Sequence, residues 1–445
     1  MEHWQAMLAT VTFVSVILLI MTEWIHLTIA AFLGALVLVF TNVMTLTDAV
    51  GYISKSYPTL ALFFGVMVMV RAFEPTRVFE YLATQIVILA RGRGNRLLLG
   101  VVAITTPICA VLPNATTVML LAPLIPPIAE EVGVDFVPLL ILMVLVANSA
   151  GLLTLVGDPA TYIVGEAINI SFIDYLWRLS LGGALAILTI VLMLPFLFPH
   201  IWRTRLSNLD QLPHPQINHP RVLAIGLIIV VAVLLFFVVG EFMPIPIPPA
   251  AAALMGAALA MLLAHHSNID TVNHILRDVD WSTLLFFMCI FVLIGGLEKT
   301  GVIASSSSWL AIVLGSNIVL GSIVLLVLTG LISSVVPNIP LVVAMVPLLK
   351  QYIVNVGLAS PEVMNANFEG TLPETVLPLF YAMMFGATLG GNGTLVGASA
   401  NIVAAGISEL HGKRIPFGLF LRYGFPVMLM QLLAATLYLV IRFLI

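Results

Sequence analysis

Ten stretches of this chain are long and apolar enough to cross a bilayer as helices, at 6–22, 27–41, 58–73, 136–168, 179–198, 222–239, 248–264, 281–297, 376–408 and 424–444. Hydrocarbon offers no partner for a free N–H or C=O, so a chain built this way must be helical at that depth. The composition agrees: 61% of the 445 residues are hydrophobic and 9% are charged, where a soluble domain carries roughly 25% charge. The expected fold class is an all-α polytopic membrane protein. The start, MEHWQAM, lacks a basic segment, and no small-residue cleavage site follows the first apolar run, so residues 6–22 are read as a retained span.

Two further apolar stretches, 97–129 and 317–354, are interrupted near their middles by PNATT and PNIP. The returning limbs, VMLLAPLI and LVVAMVPLL, are about as short as re-entrant segments, so both stretches are read as hairpins that enter and leave on one side. The loop lysines and arginines set the orientation. With the N-terminus outside, Arg71, Arg77, Arg91, Arg93, Arg96, Arg203, Arg205, Arg221, Arg277, Lys413, Arg414 and Arg422 lie inside, and Lys55, Arg178, Lys299, Lys350 and Arg442 lie outside. Both termini are then extracytoplasmic, periplasmic if the membrane is a bacterial inner membrane.

The polar stretch 199–221 divides the chain into residues 1–198 and 222–445, with a cytoplasmic linker between them. The halves look like copies. PNATTVMLLAPLI aligns with PNIPLVVAMVPLL, and GLLTLVGDPATYIVG with GNGTLVGASANIVAA. Five crossings separate corresponding elements, an odd number, so the second copy is expected upside down. Two inverted repeats, each with a hairpin and a broken helix, are the sequence mark of a secondary transporter whose site lies near mid-membrane.

The chemistry concentrates at the interruptions. TLGGNGTLVGASAN, inside the apolar run 376–408, carries four glycines and two asparagines. Glycine lets the backbone unwind and approach a ligand. Freed N–H groups and half-helix N-termini there give partial positive charge, and freed carbonyls can hold a cation. The candidate binding residues are Gly391, Asn392, Thr394, Ser399 and Asn401 in the second half. Asn148, Ser149, Thr154 and Asp158 match them in the first half, with Asn114, Thr116 and Thr117 at one hairpin tip and Asn338 at the other. Small polar residues also serve ordinary helix packing, but the Pro-Asn tips and the glycine-containing breaks occur in both copies. Asp158 is the sharpest case, because an acid within a span is costly. Its competing role is to cap the second half of the broken helix.

Other signals point away from other chemistries. Cys109 and Cys289 sit in separate apolar runs, and the nine histidines show no metal-ligand spacing. No catalytic constellation is apparent, so the chain is read as no enzyme, with no cofactor beyond a coupling Na+ or H+ and no nucleic-acid partner. Arg71, Glu74, Arg77 and Glu80 are read as one solvated interfacial helix.

GATLGGNGTLVGASANIVAAGISELHG, LVGDPATYIVG and the doubled Pro-Asn tips resemble the ion transporter superfamily, in particular the branch that holds the melanosomal P protein, the arsenite carrier ArsB and the NhaD antiporters. The resemblance covers almost the whole chain and implies a scaffold domain, a transport domain of hairpins and broken helices, a homodimer and elevator-like movement. P-protein and NhaD relatives usually carry Asp-Asn at the hairpin tips, whereas this chain has Pro113-Asn114 and Pro337-Asn338. Tips with amides and no carboxylates suit an anion or a metalloid oxyacid better than sodium–proton exchange. An antiporter resting on Asp158 and a passive anion channel are the alternatives.

Overall fold

The computed structural model describes residues 3–22, 24–206, 216–365, 368 and 370–444. Residues 207–215 of the expected linker lie outside the described residues. The fold is all-helical, as expected of a chain that must pair its backbone within each segment.

Each half runs through the same order of elements. In the first half three apolar helices, His3–Met21, Leu27–Phe40 and Tyr57–Phe73, with the short amphipathic helix Leu46–Lys55 before the last of them, precede the helix Val78–Ala90. A hairpin follows, from Gly94–Cys109 through a tip at Pro113 to Asn114–Leu121. A broken helix, Phe136–Ala150 and Pro159–Ala167, and a last helix, Ser180–Leu197, complete it. The second half repeats this with Pro220–Val239, Pro249–His266, Trp281–Lys299 and Val302–Leu314. Its hairpin is Ile318–Ser333 and Asn338–Asn355, its broken helix Leu377–Gly390 and Ser399–Leu410, and its last helix Phe417–Leu439.

Among the described residues eight helices are long and apolar enough to cross a bilayer singly. Seven of the ten expected crossings are among them. Segment 27–41 forms a helix of 14 residues, and 136–168 and 376–408 each form a broken pair. The eighth long helix, Asn338–Asn355, corrects the reading of LVVAMVPLL as a short re-entrant limb, because Pro347 sits inside an 18-residue helix without ending it. In the first hairpin the returning limb does stop at Leu121, where APL tightens into a 3-10 turn before Ile125–Glu131. A second correction concerns residues 71–80, which are not one interfacial helix. Arg71 ends a long helix, Glu74 lies in a 3-10 turn with Pro75, and Arg77 takes a left-handed conformation (φ 60°) before the next helix starts. Proline and the positive φ together break the run.

Packing between the halves is reciprocal. Tyr57–Phe73, the third apolar helix of the first half, lies on Pro249–His266, the second of the other, and Leu27–Phe40 lies likewise on Trp281–Lys299. The short helix Asn114–Leu121 packs on Ser399–Leu410, as Asn338–Asn355 packs on Pro159–Ala167, and the two last helices pack on each other. The helix Pro220–Val239 exposes Ile225, Leu227, Ile228, Val231 and Leu235, side chains that suit contact with lipid. Where charges meet between elements they meet at the ends, Lys299 with Asp48 (2.6 Å) and Arg71 with Asp278 (2.5 Å). Arg71 holds the Asp278 carboxyl below the usual carboxylate range.

Candidate functional site

Four helices begin at the centre of the molecule: Asn114–Leu121 and Asn338–Asn355 at the hairpin tips, Pro159–Ala167 and Ser399–Leu410 at the breaks. The local backbone is the same in both halves. Pro113 and Pro337 have φ, ψ of −53°, 139° and −52°, 140°, an extended turn that a residue without an N–H enters at no hydrogen-bonding cost. Asp158 and Ala398, which precede the second helix of each break, are extended at −141°, 135° and −144°, 143°. Each break is tied to its own hairpin by a threonine. Thr154 donates its hydroxyl to the Ala110 carbonyl, and Thr394 donates to that of Ser334. Gly157 and Gly397 allow this approach, since a Cβ on either would stand 2.9 Å from a backbone carbonyl oxygen, that of Cys109 or Gly391.

The side chains break the equivalence. Asp158 is 1% exposed and its carboxylate is the focus of both hairpins. Asn114 Nδ2 donates to Asp158 Oδ1 at 3.2 Å, and Asn338 Nδ2 donates to Oδ1 and Oδ2 at 3.3 and 3.2 Å. The backbone N–H groups of Ala160 and Thr161 donate to Oδ2 at 3.1 and 3.4 Å, so Asp158 also caps its helix. The expected cap is thus present, and the same side chain receives both hairpin tips. The N-terminus of Pro159–Ala167 adds favourable potential for a negative charge at this point. The corresponding position in the second break is Ala398.

A second tier of amides lies behind the carboxylate. Asn148 accepts from Asn114 (3.2 Å) and donates to Oδ1 of Asn392 (3.1 Å) and of Asn401 (3.0 Å). Asn392 donates to Ser149 Oγ at 2.9 Å and to Gln431 Oε1 at 2.8 Å, and Gln431 Nε2 donates back to Ser149 Oγ at 2.8 Å. Asn401 Nδ2 closes the second break on itself, donating to the carbonyls of Gly391 and Thr394, both at 2.9 Å. The network therefore joins both hairpins, both breaks and the helix Phe417–Leu439. Satisfied networks of this kind order a buried polar centre, because each group left unpaired there is costly.

Of the sequence candidates, Asn114, Asn148, Ser149, Asp158, Asn338, Asn392 and Asn401 meet in this network, Gly391 joins it through its carbonyl, and Thr154 and Thr394 brace it. Thr117 is buried on the tip helix, and its hydroxyl closes no hydrogen bond of standard geometry among the described residues. Thr116 and Ser399 stand apart. Thr116 is half-buried with no side-chain bond to the network, and Ser399 is exposed, with Ala398 rather than a hydroxyl at the start of its helix. Sequence reading missed Gln431, fully buried in the last helix, although a single amide inside MLMQLLAA was a signal for it. It also missed Thr161 and Thr388, whose buried hydroxyls likewise close no hydrogen bond of standard geometry. The Thr388 hydroxyl faces the Asp158 carboxylate.

Comparison with known proteins shows the family and the fold. The family model CitMHS, described as citrate transporter, matches residues 17–366. The chain belongs to the CitMHS family. An uncharacterized transporter of Synechocystis sp., slr0753, is 72% identical over 426 residues, covering 96% of this chain and 95% of its own. The human P protein is 29% identical over 522 residues, covering 98% of this chain and 60% of the P protein, in line with the branch that the sequence motifs indicated. Among solved structures, the YdaH transporter of Alcanivorax borkumensis superposes with a TM-score of 0.59 at 13% identity, over 89% of this chain and 87% of that one. This CitMHS chain is accordingly an integral membrane protein with a transporter fold.

Proposed function

We propose that the chain is a cation-coupled secondary transporter of a small carboxylate or oxyanion, with proton or sodium ion as the coupling cation. The observation that carries this reading is the convergence of both hairpin-tip amides on one buried carboxylate. An anionic cargo needs N–H donors, and here Asn114 and Asn338 are engaged by Asp158. A cation bound to Asp158 neutralises it and weakens its hold on those amides, which then turn to the cargo. Cargo and cation are favoured together, which is symport. The description of the family as citrate transporter supports a carboxylate cargo, and a metalloid oxyacid fits the same donors.

Movement follows from the packing. The hairpins, the breaks and the last helices share the polar network and travel as one body past the first three apolar helices of each half, in an elevator-like exchange of access. The reciprocal packing supports two halves inverted about an axis in the membrane plane.

A second reading, sodium–proton exchange, has its own support, because Asp158 is the one charged member of the network. Flux in proteoliposomes separates the readings. Uphill uptake of radiolabelled citrate, arsenite or phosphate under an imposed proton or sodium gradient is the expected result. Sodium-dependent proton release without any cargo favours exchange, and flux that only equilibrates the cargo means a passive channel.

A further inference from the structure

Glu166 is the second acid on the nine-residue helix Pro159–Ala167, which Asp158 caps. Asp158, Tyr162 and Glu166 stand at i, i+4 and i+8, a spacing that puts them along one face. Eight residues of helix separate the two acids by about 12 Å. At its far end the Glu166 carboxylate accepts the Thr59 hydroxyl at 3.2 Å, from the helix Tyr57–Phe73 of the other packing group. Tyr162 is buried and packs edge-on against Phe63 of that same helix, ring centroids 6.2 Å apart.

The neighbouring hairpin limb repeats this two-level arrangement. Asn338 at its start reaches Asp158, and Lys350, twelve residues further on, lies within electrostatic reach of Glu166. Lys350 also senses Glu298 of Trp281–Lys299 and forms no ion pair among the described residues. Glu298 is exposed, as is Tyr57 at the start of its helix, so the cluster opens to water at the end that the charge bias places outside. The groups facing Glu166 are therefore Thr59 on one helix, Lys350 on another with Glu298 beyond it, and Tyr162 on its own, with Tyr57 beside Tyr162.

We propose that Glu166 is the outer station through which the coupling proton reaches Asp158. The inference rests on the cation-coupled reading above and commits that reading to the proton. Hydronium in the outer opening gives its proton to a Glu166 oxygen and leaves water. The acid then passes a proton inward, by way of the Tyr162 hydroxyl or a water, and returns to carboxylate as Asp158 becomes the acid. No electrons or heavy atoms change hands. Lys350 balances Glu166 whenever both are ionised. Ionisable groups within a span commonly serve as such relays.

The test uses the full chain in proteoliposomes with radiolabelled citrate. Glu166→Gln is expected to lower uptake driven by a proton gradient by roughly tenfold or more, within the usual range of coupling between two ligands, and to flatten its pH profile. Exchange of labelled for unlabelled citrate needs no net proton movement and stays at the wild-type rate. Glu166→Asp restores part of the driven uptake, and Thr59→Val, which removes only the fastening hydroxyl, keeps the coupling. Wild-type driven uptake in Glu166→Gln overturns the proposal. So does equal loss of driven uptake and exchange, or a Thr59→Val variant as impaired as Glu166→Gln, since either makes Glu166 a structural fastening. Wild-type uptake driven by sodium alone overturns this inference and leaves the functional reading standing. Uptake of citrate, arsenite and phosphate alike driven by neither gradient sinks that reading and this inference with it.

Discussion

The two broken helices have nearly the same backbone and unlike chemistry. Gly151 and Gly391 end their first helices at φ, ψ of −56°, −21° and −55°, −21°, and each break is tied by a threonine to a hairpin carbonyl. Yet the first break presents Asp158 to both tips, while the second has Ala398 there and turns its amide, Asn401, onto its own carbonyls. A duplicated scaffold that keeps one charge can hold one coupling cation at its centre.

The largest expected effect comes from removing that charge. Asp158→Asn keeps a capping oxygen, so protein abundance is maintained, while gradient-driven uptake falls by about 100-fold and its pH dependence disappears. Moving the acid across, as Asp158→Ala with Ala398→Asp, does not restore coupling, because the second break has Thr388 where the first has Asn148. Restored uptake in the double variant means that the breaks are interchangeable, and the contrast drawn here fails.

The hairpin tips come next. Asn338 bonds both oxygens of Asp158, and Asn114 bonds one oxygen and Asn148. Truncation to alanine costs roughly 1 to 3 kcal/mol for each partner left unpaired. Asn114→Ala is therefore expected to weaken cargo affinity more than Asn338→Ala, as read by the concentration dependence of uptake. It leaves Asn148 Oδ1 without its donor, whereas in Asn338→Ala both Asp158 oxygens keep donors from Asn114 and the Ala160 and Thr161 N–H groups. Equal effects argue that Asn148 does not depend on the Asn114 donor.

The glycines test the shared backbone instead. Gly157→Ala and Gly397→Ala each set a methyl 2.9 Å from a carbonyl oxygen and should destabilise by about 1 to 3 kcal/mol, the usual cost of overpacking. Thermal unfolding in detergent is expected to shift equally for both. Unequal shifts would show that one break is held more loosely than the other.

The smallest effect belongs to the rim. Lys413 pairs with Asp135 at 2.9 Å, with both side chains about half exposed (51% and 53%). Lys413→Ala should cost less than about 1 kcal/mol and leave uptake unchanged. A large loss would move functional weight from the centre to this end of the bundle.

Most of the central site was legible because its signals are local. An acid, Pro-Asn tips and glycine-rich breaks stand out against apolar runs, where each is costly unless it has work to do. Gln431 was passed over because a single amide in a span has too many possible partners, and only packing against Asn392 and Ser149 gives it one. Ser399 was overvalued for the reverse reason. Its type and position suit a cap, but the helix begins at Ala398 and leaves the Ser399 hydroxyl exposed. The limb Asn338–Asn355 was read too short because proline is a strong breaker in isolation, whereas inside a packed hairpin the other turns hold the helix through Pro347.

By itself the sequence determined the class of molecule, the repeated order of its elements and the places where helices had to break. Those follow from solvation, since a backbone in hydrocarbon has few ways to satisfy its hydrogen bonds. Tertiary structure alone decided which polar groups meet. Asn114 and Asn338 lie 44 and 180 residues from Asp158, and no local rule brings two hairpin tips onto one carboxylate. That convergence comes from the reciprocal packing of the two halves, which brings both hairpin tips onto a single buried acid.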